Sequence, residues 1–86
     1  MLKFVAPYQK LIDAANSVGL TGFVVNAATM HSLAHTLFDA YVPHSHPVRI
    51  ETKTYNGSIE IEVTGTAKEC IEAFKGFREF LRLDSQ

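Results

Sequence analysis

Residues 48–65 read VRIETKTYNGSIEIEVTG, and the remaining elements can be placed around them. Two runs of alternating apolar and polar residues flank Asn56-Gly57, the pair best suited to positive φ at both central positions of a type I′ turn. A two-residue loop sets the register: Tyr55 faces Ser58, Thr54 faces Ile59, Thr52 faces Ile61 and Ile50 faces Val63. Val48, Ile50, Thr52, Thr54, Ile59, Ile61 and Val63 then share one face. Arg49, Glu51, Lys53, Tyr55, Glu60 and Glu62 share the other. Both strands give the same partition, so the spacing predicts a hairpin over 48–64 with one buried and one solvated side.

Downstream, Thr66-Ala67-Lys68-Glu69 has the capping-box spacing that opens a helix. The helix, about 67–82, directs Cys70, Ala73, Phe74, Phe77, Phe80 and Leu81 to one side, with Ile71 and Leu83 off it. Upstream, Met30, Leu33, Ala34, Leu37, Phe38 and Tyr41 keep helical spacing over 27–42, with Asn26 as N-cap and Pro43 as the stop. Tyr8, Leu11, Ile12, Ala15 and Val18 do the same over 7–18, and Gly19 suits the left-handed residue that ends a helix. Gly22 to Asn26, "GFVVN", is a short apolar β-branched run and reads as a strand covered on both faces. "MLKFV" is short enough to be either an edge strand or a tail. The expected architecture is a single α+β domain over 1–86. Its small, mostly antiparallel sheet combines the hairpin with strand 22–26, and three helices pack on it.

Composition narrows the function classes. The chain has 86 residues, 47% of them hydrophobic and 20% charged, with a formal charge of −1. It carries no basic run that would neutralise a phosphate backbone, so nucleic-acid binding is not expected. No apolar run approaches the roughly 18 residues of a membrane span. The one cysteine cannot form an intramolecular disulfide, which fits a reducing compartment, and a cytoplasmic location is expected.

All four histidines fall between His31 and His46. On a helix His31 and His35 are one turn apart, and two histidines at i, i+4 can share a metal. Eight residues rise about 12 Å, so His31, His35 and Asp39 cannot all reach one ion. The best set joins His35 and Asp39 to His44 or His46 from the loop after Pro43, with Zn²⁺ as the expected ion. The reading preferred to this site is that the imidazoles lie at the border of an amphipathic helix and bind nothing, so no cofactor is expected and Zn²⁺ is the alternative.

Cys70, on the inner side of its helix, reads as a small buried hydrophobe. Glu51, Glu60 and Glu62 lie on the outer face of the hairpin, with Glu51 opposite Glu62. Tyr55 sits on that polar face at the hairpin tip, a position with no evident core role. It is the candidate anchor for a partner, with Lys53 and Glu60 as its rim.

"GLTGFVVN" (19–26) followed by "NGSIEIEVTGTAKECIEAFKGFREF" (56–80) resembles the middle and end of acylphosphatases. In that family an Asn closing a strand helps catalysis, so the resemblance implies that role for Asn26 in a small hydrolase. It covers about half the chain, in two pieces. The family's arginine-bearing phosphate loop has no counterpart in "MLKFVAPYQ".

The reading drawn from the residues is a non-enzymatic binding protein acting through a protein–protein surface, as an inhibitor, adaptor or assembly factor. A homo-oligomer is one form of it, and a compact inhibitor of a larger enzyme, of the kind phages encode, is another. A metal-regulated module using His31–His46 is the alternative from a different class.

Overall fold

The hairpin forms as its alternation dictates, and a third strand completes the sheet from the other end of the chain. The structure, a computed structural model, describes residues 2–43 and 47–83. The elements are β1 (Leu2–Pro7), α1 (Tyr8–Ser17), α2 (Ala27–Tyr41), β2 (Arg49–Tyr55), β3 (Ser58–Thr64) and α3 (Ala67–Phe80). The sheet order is β1-β3-β2, antiparallel throughout. The fold is therefore α+β, with every hairpin pair in the register read from the sequence, from Tyr55 opposite Ser58 to Ile50 opposite Val63.

The third strand is Leu2–Pro7, not residues 22–26. Leu2, Phe4 and Ala6 lie opposite Val63, Ile61 and Ile59 of β3. Phe4 and Ala6 are buried while Lys3 and Val5 are exposed, so β1 has the one-sided alternation of a sheet with one covered face. Residues 20–25 join no ladder and link α1 to α2, with Val24 69% and Val25 54% exposed. The physical reason lies in the cover available. A strand apolar on both sides needs a layer on each, whereas Ile59, Ile61 and Val63 are buried and their neighbours Glu60 and Glu62 are only partly so.

The core is one cluster between the sheet and the helices. Phe77 of α3 is fully buried and meets Phe38 of α2 edge-on, ring centres 5.3 Å apart. It also meets Phe4 of β1 at 6.1 Å, and Phe4 meets Phe74 at 5.5 Å. Such edge-to-face aromatic pairs each add about 0.5–1.5 kcal/mol beyond their buried area. Leu11, Met30, Leu37, Ile59, Ile61 and Leu81 fill the remaining volume. Tyr41, expected on the buried side of α2, is 44% exposed and stacks on Phe80 at 5.5 Å. Leu83, expected off the core side, packs partly against it.

The helix ends follow local chemistry. Gly19 has φ +87°, and the backbone N–H groups of Gly19 and Leu20 donate to Asn16 and Ala15 carbonyls at 3.1 and 2.9 Å. This double bond is the Schellman closure expected after α1. The Asn26 side chain accepts from the Thr29 backbone N–H at 2.8 Å and caps α2. At α3 the Thr66 hydroxyl donates to the Glu69 carboxylate, and the Thr66 side chain caps no backbone amide. The Thr66 half of the expected capping box is therefore not formed.

The hairpin turn also departs from expectation. Gly57 has φ +85° while Asn56 is not in the positive region. A type I′ turn needs positive φ at both central residues, so the turn is not type I′. The turn is held from outside, since Tyr8 N–H donates to the Gly57 carbonyl at 2.9 Å and Tyr8 Oη–H to the Tyr55 carbonyl at 3.0 Å. Among the described residues no helix is long and apolar enough to cross a membrane.

Candidate interaction surface and histidine pair

The pleat sends alternate side chains of each strand away from the helices, and the register fixes which of them are neighbours. Pro7, Ser58 and Tyr55 form one row across the three strands. Val5, Glu60 and Lys53 form the next, and Lys3, Glu62 and Glu51 the third. Tyr55, Lys53 and Glu60, proposed from the sequence as anchor and rim, are thus brought together on the outer face, with Lys53 directly opposite Glu60. The Tyr55 side chain is 47% exposed, while its carbonyl holds Tyr8.

Sequence reasoning missed the contribution of β1 to this face. Val5, 54% exposed, lies one row from Tyr55, and Pro7 lies in the same row as Tyr55. Lys3 lies beside Glu62, so the like-charged Glu51–Glu62 pair has a cation in its own row. The signal was present in the alternation Leu2-Lys3-Phe4-Val5-Ala6, which is too short to assign a face until a partner strand is known.

His31 and His35 meet on α2, with ring centres 5.1 Å apart and planes tilted by 54°. His31 is exposed and His35 half-buried. Thr52 of β2 reaches the pair, its hydroxyl hydrogen-bonded to His31 Nδ1 and 3.5 Å from Nε2. Asp39 is exposed two turns beyond His31. Among the described residues no three His, Cys, Asp or Glu side chains gather around one ion position. His44 and His46, the loop ligands proposed from the sequence, lie outside the described residues.

Two features are structural in character. Cys70 is buried, and its thiol donates to the Val63 carbonyl at 3.7 Å, as expected of a packing residue. It lines an open hollow of about 540 Å³, shared with Leu2, Val63 and Ile71, between β1, β3 and the start of α3. Asn26 closes no strand, and its side-chain oxygen is occupied by the Thr29 amide. This differs from the strand-ending position that the acylphosphatase resemblance implies. The chain matches no protein-family model, no curated protein and no solved structure.

Proposed function

We propose that this chain is a non-enzymatic binding protein that works through a protein–protein surface, as an inhibitor, adaptor or assembly factor. The observation that supports the reading is the outer sheet face, where Val5 and Tyr55 stand 54% and 47% exposed beside Lys53 and Glu60. An exposed aromatic with few rotatable bonds, rimmed by charges of both signs, has the composition of an interface anchor, and Val5 adds apolar surface to the same face from the opposite edge strand. Among the described residues, β1 and β2 are the edge strands of the sheet, and unpaired edges invite a further strand.

The test begins with affinity capture from the native host and identification of the partner by mass spectrometry. Binding is then measured for wild type, Tyr55→Ala and Val5→Lys. The reading requires each variant to lose about 2 kcal/mol or more of binding free energy with its melting temperature unchanged. Unchanged affinity in both variants counts against this surface. Light scattering over a concentration series separates the forms of the proposal: a strict monomer removes a second copy as the partner and leaves the heterologous one.

A further inference from the structure

The geometry points to His31 and His35 as a two-imidazole site for a late first-row divalent cation such as Zn²⁺, Ni²⁺ or Cu²⁺. A Zn–N bond of about 2.0–2.1 Å plus roughly 1.1 Å from nitrogen to ring centre puts the ion about 3.2 Å from each imidazole centre. Two rings sharing a tetrahedral ion then have centres about 5.2 Å apart, and two rings at cis positions of an octahedral ion about 4.5 Å apart. The observed separation is 5.1 Å. The rings are tilted by 54°, and one helical turn brings them to the same separation that a shared tetrahedral ion requires.

The supporting contact comes from a different element. Metal-binding imidazoles commonly donate their second ring N–H to an oxygen, which fixes the tautomer and aims the free lone pair. The Thr52 hydroxyl lies against His31 Nδ1 and 3.5 Å from Nε2; in the tautomer protonated on Nδ1, Nε2 carries the lone pair that an ion would take. His31 is exposed and His35 half-exposed, so an ion reaches them without opening the core. The donor set selects the class of ion: two imidazoles without a carboxylate suit Zn²⁺, Ni²⁺ and Cu²⁺ and offer little to Mg²⁺ or Ca²⁺. Two protein ligands leave the other coordination positions to water. The site is independent of the proposed docking face, because Thr52 points to the helix side of β2 and Tyr55 to the open side.

The experiment uses full-length protein without a histidine tag, stripped of metal and titrated calorimetrically with Zn²⁺, with Ni²⁺ and with Mg²⁺. One Zn²⁺ or Ni²⁺ per chain is expected, with no saturable binding of Mg²⁺. His31→Ala and His35→Ala should each weaken binding by about tenfold or more, and Thr52→Val by about tenfold through the lost orienting contact. The double variant His44→Ala/His46→Ala should bind as wild type does. Substoichiometric Cu²⁺ should broaden the amide NMR signals around residues 31–35 and 52 first, a readout that needs no variant. Absence of saturable binding, full affinity without His31 or His35, or a loss confined to the His44/His46 variant overturns the assignment.

Discussion

Replacing Val24 with Asp separates two accounts of the α1–α2 connection by several kcal/mol. In a strand covered on both faces, the substitution would remove the full burial of a valine, worth about 1.5–3 kcal/mol. It would also place an unpaired carboxylate in an apolar layer, at an effective cost of several kcal/mol more. A chain of 86 residues has about 4–13 kcal/mol of total stability at 0.05–0.15 kcal/mol per residue, so such a variant would be largely unfolded. In the observed structure Val24 is 69% exposed. Only about a third of its burial value is at stake, roughly 0.5–1 kcal/mol, and the charge stays in water. Urea unfolding followed by circular dichroism gives the answer. The expected result is a lower midpoint with an unchanged slope, a loss of about 1 kcal/mol, and a melting temperature lowered by about 4–8 °C at most. Ile61→Ala, at a fully buried position of β3, serves as the positive control and should lose about 2–5 kcal/mol. A loss above about 3 kcal/mol for Val24→Asp would refute the exposed placement.

Two further substitutions test single local contacts. Asn26→Ala removes the cap on the Thr29 amide and should cost about 1 kcal/mol in denaturant unfolding; with acyl phosphate as substrate, wild type and variant should both run at the background rate, and activity lost in the variant would restore the hydrolase reading. Arg82 holds φ +60° after α3 while its N–H and that of Leu83 donate to Glu79 and Arg78. Arg82→Gly should therefore stabilise the chain by about 0.5–1 kcal/mol, raising the melting temperature by about 2–8 °C, and a drop would show that the arginine side chain contributes more than its backbone strain costs.

What the sequence could and could not specify follows the range of the interactions. Elements whose determinants are local were readable: the Asn26 cap, the Gly19 closure and the two-residue hairpin loop each depend on residues within a few positions. The third strand depends on a choice between two distant segments. "GFVV" is the more apolar, and by propensity alone it is the better strand. It loses because strand choice here is decided by cover. The helix-side row of β3 can bury Phe4 and Ala6, and the other side of the sheet faces water, where Lys3 and Val5 are tolerable. A strand apolar at every position would leave half its side chains on that open side. The turn type was missed for a related reason, since Tyr8 holds the carbonyls of Gly57 and Tyr55 from a part of the chain nearly fifty residues away.

The histidines divide along the same line. Helical periodicity alone makes His31 and His35 neighbours, since Cβ atoms at i, i+4 lie about 5–6 Å apart. The same periodicity makes His35 and Asp39 neighbours, so spacing along α2 cannot choose between the pairs. What distinguishes them is the strand alongside. α2 packs over β2, and the inward position of Thr52 places a hydroxyl against His31. Thr52 has that inward position because the hairpin register puts it opposite Ile61. The orientation of the His31 imidazole is therefore set by the same alternation that forms the hairpin. Any substitution that slips β2 by one residue would turn Thr52 outward and bring Lys53 toward the helix, replacing an orienting hydroxyl with a cation. Such a slip should weaken metal binding at His31 and His35 even though both histidines remain in place.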